Sequence, residues 1–230
     1  MYYDIIYDTK KDYAQEAKRL HELIRQHKRS SGKKLLDVAC GTGRHISLLH
    51  EFYDVEGLDL SREQLKIARK RNPGVNFHRG NMVNFKLRKK YDAITCLFSA
   101  IGYVKTVSRL RQAVKNMARH LHSGGVLIVE PWISPERWEV GRIDVTFVDR
   151  PKLKIARMNT TKRRGKISIT NFHFLIGTPE GIEYFVESHK MGLFSHQEYT
   201  AAITRSGMKI IYDPRGLMGR GLYIGKKPLK

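Results

Sequence analysis

The sequence predicts an α/β fold: a parallel sheet with helices on both faces and an inserted antiparallel β lobe. Three observations predict it. Short apolar runs alternate with helical patterns from Leu35 to Glu130, which is the signature of repeated βαβ units. The pattern then switches to period two between Val145 and Phe194, with turns at 162–166 and 178–181. Two last strand-like runs, Lys209–Tyr212 and Gly221–Gly225, bring the chain back to the sheet.

Each element has its own signal. Tyr13, Ala17, Leu20 and Ile24 lie on one helical face, so 12–28 reads as a helix with Arg19 off the stripe. Leu35–His45 reads as a buried strand, a Gly41-Thr42-Gly43 turn and a helix whose face carries Ile46, Leu49 and Phe52. Without a Cβ, the two glycines let a ligand lie against the backbone, and the N–H groups at a helix start favour an anionic group. Asp37 lies inside the strand, where a carboxylate is costly unless partnered. Val55–Asp59 is the second strand. Its terminal carboxylate either accepts from ribose hydroxyls or merely flanks the helix that Ser61 and Gln64 open as a capping box.

Val75–His78 is a third strand, and the Gly80-Asn81-Met82 loop follows it. Tyr91–Phe98 is the fourth. Tyr103, just past its carboxyl end, either faces a ligand or packs under a helix. Val107–Leu121 is an amphipathic helix stopped by Gly124-Gly125, with His120 and His122 as structural residues at its C-terminal end. Val126–Glu130 is the fifth strand. Ser195 and Glu198 form a capping box for a helix that Gly207 closes. The expected division is a cap at 1–30, a core at 31–140 and 191–230, and the lobe at 141–190.

The 230 residues carry 43 Lys and Arg against 22 Asp and Glu, a net charge of +21. That field attracts something acidic, whether a nucleotide-linked small molecule or nucleic acid. No apolar run approaches the ~20 residues of a membrane span, so no membrane partner is expected. Cys40 and Cys96, both expected in buried strands, form neither a disulfide framework nor a metal cluster, so a reducing cytoplasm is the default.

The Asp37-x-x-x-Gly41-x-Gly43 pattern resembles motif I of class I methyltransferases, Rossmann-like enzymes that use S-adenosyl-L-methionine (SAM). The resemblance narrows with Phe98–Gly102, Val129-Glu130-Pro131-Trp132, Glu187-Ser188-His189, Leu193-Phe194 and Gly219-Arg220-Gly221-Leu222. Together these segments resemble the N,N-dimethyltransferases that act on dTDP-linked 3-amino sugars in desosamine and mycaminose biosynthesis. The implied activity is N-methylation of a small amine. A SAM-dependent methyltransferase of RNA or DNA, and a basic SAM-binding nucleic-acid module without catalysis, stay open beside it, as does a homodimer.

The resemblance also implies roles. Asp37, Ala39, Gly41 and Gly43 would hold the methionine part of SAM, Asp59 the ribose, and Leu60, Asn81 and Met82 the adenine. Leu97 and Phe98 would close the methionine end, with Tyr13 and Arg19 reaching its carboxylate. Tyr7 and Tyr103 would orient the reacting amine, and Trp132, His189 and Arg220 would bind the substrate. Two positions depart from the family: Asn81 stands where Asp is usual, and Tyr103 where some members have His. A free tyrosine, with pKa ~10, is a poor base at neutral pH.

Overall fold

The structure, a computed structural model, describes residues 2–7 and 11–229. A seven-stranded sheet forms the core. Its strands are β1 (Lys34–Val38), β2 (Asp54–Asp59), β3 (Asn76–Arg79), β4 (Tyr91–Cys96), β5 (Leu121–Val129), β10 (Lys209–Asp213) and β11 (Leu222–Lys226), ordered β10-β11-β5-β4-β1-β2-β3. Strands β1 to β5 are parallel; β11 runs antiparallel to both neighbours.

Alternation sorts the strand side chains onto two faces. Leu35, Ala93, Val126 and Ile128 pack with Ala17, Leu20 and Ile24 of α2 (Tyr13–His27) and with Ile46 and Leu49 of α3 (Ile46–Leu49). Leu36, Ile94, Leu127 and Val129 pack with Leu110, Val114 and Met117 of α5 (Val107–Arg119) and with Tyr199 and Ile203 of α6 (His196–Thr204). The two helical layers follow from those two apolar stripes. Among the described residues no helix is long and apolar enough to cross a membrane.

A second sheet, β6 (Ile143–Arg150), β7 (Leu153–Arg164), β8 (Ile167–Thr178) and β9 (Gly181–Gly192), is antiparallel and ordered in sequence. Its strands are longer than their apolar runs, because cross-strand pairing extends the ladders through polar residues such as Thr160–Arg164 and Asn171. The short helix α1 (Tyr3–Tyr7) touches both halves. Ile6 packs with Val148, Ile155, Phe174 and Ile176 of the second sheet. Asp4 accepts from Thr42 Oγ1 at 2.8 Å and from Arg71 at 2.5 Å in the core.

Several local expectations are corrected. Helix α3 is a single turn, and Phe52 lies beyond it, stacked on His21 at 4.1 Å. Cys40 sits in the turn after β1 rather than in a strand. The capping box of α4 (Arg62–Arg71) is half built: Ser61 Oγ accepts from Gln64 N at 3.2 Å, but the Gln64 side chain does not return the bond. Helix α5 ends at Arg119, before the glycine pair, because Leu121 is already paired with Tyr91 in the sheet. Gly124, at φ +76°, lies within β5 and donates to the Lys227 carbonyl. His120 caps α5 structurally: its Nε2 accepts from Leu87 N, and burial lowers its pKa, so it serves as a neutral acceptor.

Candidate active site

Strand order reverses in the sheet between the parallel neighbours β1 and β4, the place where open parallel sheets bind ligands. A cleft of about 1110 Å³ opens there, between the carboxyl ends of the core strands, helix α1 and the inner face of the second sheet. All of the candidate residues line it except Arg19 and Gly43.

The glycine-turn side is built from backbone. Ala39, at φ +59°, and Gly41, at φ +56°, both hold left-handed conformations directly after β1. A Cβ on Gly41 would meet only Gln64 Oε1, at 4.0 Å, so bare backbone faces the cleft. Gly41 N–H donates to Asp59 Oδ2 and Ser61 N–H to Asp59 Oδ1, both at 2.8 Å. The glycine turn and the acid at the end of β2 are thus held as one unit. Leu60, 59% exposed, and Met82 supply an apolar surface beside them. Asn81 Oδ1 accepts from Val83 N at 3.0 Å, which fixes the amide's orientation in its loop. Beneath the turn, Asp37 is only 2% exposed and accepts from Thr95 Oγ1 at 2.8 Å, its register partner on β4. Burial pushes its carboxyl up to about 6, against the pull of His45 and Thr95.

Two assignments move. Gly43 faces away from the cleft: a Cβ there would lie 2.7 Å from Asn72 Nδ2 and 3.3 Å from Ala68 Cβ, so its smallness lets α4 pack on the turn. Arg19 is turned to the far end of the chain, where it donates to Asp213 Oδ2 at 2.9 Å.

In Arg19's place the structure builds a network that sequence reasoning missed. Glu16 Oε2 lies 2.8 Å from His45 Nε2 and 3.0 Å from Lys11 Nζ. Burial opposes the Glu16 charge, but His45 and Lys11 outweigh it and hold the carboxyl below its usual range. Lys11 Nζ also sits 3.9 Å over the Phe98 ring, and Tyr13 packs edge-on to His45 at 5.1 Å. Helical spacing exposes none of this, because the partners come from three separate segments.

The acceptor side is aromatic and basic. Phe98, at φ +49°, is pinned at the end of β4 by its N–H, which donates to the wholly buried Glu130 at 2.6 Å. A non-glycine residue in that conformation stores strain that its surroundings must hold. Tyr7 packs edge-on to Phe98 at 4.9 Å and accepts from Arg157 at 3.3 Å. Tyr103 bonds His189 Nδ1 at 2.5 Å, and desolvation in the cleft wall, with the neighbouring Tyr7 phenol and Glu187 carboxylate, raises its phenol to about 12. Trp132 Nε1 donates to Ser168 Oγ at 2.9 Å, and Arg220 lies 5.1 Å over the Trp132 ring while donating to Ser99 Oγ at 2.8 Å. Lys105, Arg109, Arg137 and Arg142 add positive charge to the lining. Arg157, 7% exposed on β7, is a second missed residue; the period-two pattern placed it on a strand but did not say which face met the cleft.

A model for a methyltransferase domain matches residues 35–125. The dTDP-3-amino-3,4,6-trideoxy-α-D-glucopyranose N,N-dimethyltransferase of Streptomyces venezuelae is 40% identical over 226 residues, 97% of this chain and 95% of that one. The chain belongs to the dTDP-amino-sugar N,N-dimethyltransferase family. A second member, the dTDP-4-amino-2,3,4,6-tetradeoxy-D-glucose N,N-dimethyltransferase of Saccharopolyspora spinosa, is 36% identical and matches 97% of this chain and 90% of its own. The SAM-bound structure of CalS10, an amino pentose methyltransferase from Micromonospora echinaspora, superposes with a TM-score of 0.91 at 36% identity, over 99% of this chain and 97% of that one. Family membership makes the chain a SAM-dependent N-methyltransferase, and the cleft fits that cofactor. Gln64 Oε1 is buried in its wall with no hydrogen-bond partner among the described residues, and the Gly41 backbone is bare. The Asp59 carboxylate and the apolar Leu60 and Met82 side chains line the same wall.

Proposed function

We propose that this enzyme N-methylates a nucleotide-linked amino sugar. One observation carries the reading: the cofactor end of the cleft runs without a break into an aromatic, arginine-lined chamber under the second sheet. A sugar amine suits the aromatic part, and a pyrophosphate suits Arg220 and the basic lining. When bound, SAM supplies an electrophilic methyl on sulfur. Asp59 holds the ribose hydroxyls, with Leu60, Met82 and Asn81 about the base. Ala39 and Gly41 present backbone to the amino-acid tail, over Asp37 and between Tyr13, Leu97 and Phe98. Tyr7 and Tyr103 orient the amine, and Trp132, His189 and Arg220 hold the sugar nucleotide. The chain's main contribution is alignment and water exclusion. The labour divides as residues 1–30 for the cap, 31–140 and 191–230 for the cofactor core, and 141–190 for the acceptor lobe.

The test offers SAM with dTDP-linked 3-amino and 4-amino sugars, and separately with RNA and DNA. Mass spectrometry of the sugar should show one or two added methyl groups. Methyl transfer to nucleic acid alone would make the +21 charge, rather than the chamber, the guide to the substrate. The two unpaired thiols, Cys40 and Cys96, favour a reducing cytoplasm as the site of this reaction.

A homodimer is part of the proposal. On the outer face of the second sheet, Val145, Met158, His173 and Val186 form one cross-strand row, and Phe147, Ala156, Leu175 and Tyr184 the next. Phe147 is 70% exposed and Ile182 74%. A second copy offers the same rows, and two such faces stacked would bury on the order of 800 Å² per partner, the usual size of a stable interface.

A further inference from the structure

Tyr103 ends in a contact that leads away from the cleft. Its hydroxyl lies 2.5 Å from His189 Nδ1, and on the other side of the ring His189 Nε2 lies 3.5 Å from Glu187 Oε2. A carboxylate only accepts, so Nε2 carries a hydrogen toward Glu187. A neutral imidazole then has its lone pair on Nδ1, and the Tyr103 hydroxyl must donate to it. The directions run one way, from the cleft through Tyr103 to His189 and out to Glu187, whose side chain is 54% exposed.

We propose that His189, reached through the Tyr103 hydroxyl, is the base that clears the proton from the methylated amine. The proposal rests on the amine-methylation reading above. A newly methylated amine carries one proton too many and has no lone pair for a second methylation until it is lost. The amine N–H bond breaks as an O–H bond forms at Tyr103. In the same event the original Tyr103 O–H bond breaks and an N–H bond forms at His189 Nδ1. The amine is left neutral, Tyr103 is unchanged, and the positive charge moves to His189 beside the Glu187 carboxylate. No tyrosinate forms, which is necessary because desolvation in the cleft wall and the neighbouring Glu187 hold that phenol at about 12.

The packing supports the route. Phe172 stands edge-on to His189 at 5.1 Å and fixes the ring. The charged and titratable groups around it are Tyr103 from the 3-10 turn (Ala100–Val104), Glu187 on its own strand, Arg157 behind Phe172 at 4.9 Å, and Tyr7 across from Tyr103. Glu187 compensates the positive charge that arrives on the ring.

The test compares His189→Ala, His189→Gln and Tyr103→Phe with the wild-type enzyme. His189→Ala should lose about 10- to 100-fold in kcat beyond any rise in KM, with SAM affinity nearly unchanged, and added imidazole should restore much of the kcat. Tyr103→Phe should lose as much without rescue. Nitrogen-15 NMR of the resting enzyme should find His189 protonated on Nε2, with the Nδ1 signal moving in Tyr103→Phe. Wild-type kcat in both His189 variants, a loss confined to KM, or a resting proton on Nδ1 would overturn the proposal. If the wild-type enzyme methylates no amino sugar, the functional reading fails, while the NMR result still decides the direction of the relay.

Discussion

Asp37 and Asp59 lie at the carboxyl ends of neighbouring strands, yet Asp37 is buried in the floor of the cleft and Asp59 is partly exposed in its wall. That difference has a pH consequence. Asp37's folded value of about 6 lies above its ordinary 3.8. Below that ordinary value the acid is neutral in both folded and unfolded chains. As pH rises from 3.8 to 6, the unfolded chain releases its proton first, and the stability due to this group is lost. Asp37→Asn removes that loss. Its stability relative to wild type, measured by urea unfolding, should rise on the order of 3 kcal/mol between pH 4 and 7. The glycines of the turn separate just as clearly. Gly41→Ala should weaken SAM binding in calorimetry, because the new methyl points into the cleft. Gly43→Ala should instead lower the melting temperature through about 2 kcal/mol of lost stability, because its methyl meets α4. At this scale motif spacing was enough to pick out the strand-end residues that line the cleft, since that spacing is local. It could not disclose that Arg19 answers to Asp213, or that Lys11, Glu16 and His45 meet, because those contacts depend on how distant segments fold together.

The helix termini show where elements are robust and where they are improvised. The Ser195–Glu198 capping box is complete, both reciprocal bonds being present. Ser195→Ala should therefore cost about 1 kcal/mol and lower the melting temperature by roughly 2–4 °C. The same motif at Ser61 was legible yet only half formed, because Gln64 turns its amide toward the cleft. Composition alone does not distinguish a cap from a ligand contact. The glycine pair after α5 misled for a related reason. Glycines mark a helix stop or an irregular strand equally well, and pairing of Leu121 with Tyr91 decided the matter here.

Across the whole molecule, the two sheets divide the surface unevenly. The core sheet is covered on both faces, while the second sheet is covered on one. Phe147→Asp on the uncovered face should convert a dimer to a monomer in sedimentation velocity, with SAM affinity unaltered. A wild-type protein that already sediments as a monomer would refute that face as an interface. The alternating runs of the sequence made both sheets recognisable, since each period is a direct imprint of which faces are wet. Helix α1 joins these halves, tied to the core by Asp4 and seated in the lobe by Ile6. A single turn fastened at two places and lining the cleft through Ile6 and Tyr7 is expected to act as a shared latch, whose release would open both ends of the cleft together. Departure of demethylated cofactor and of finished sugar would then keep a common clock, and cutting the tether with Asp4→Ala should quicken both exits in stopped-flow by the same factor.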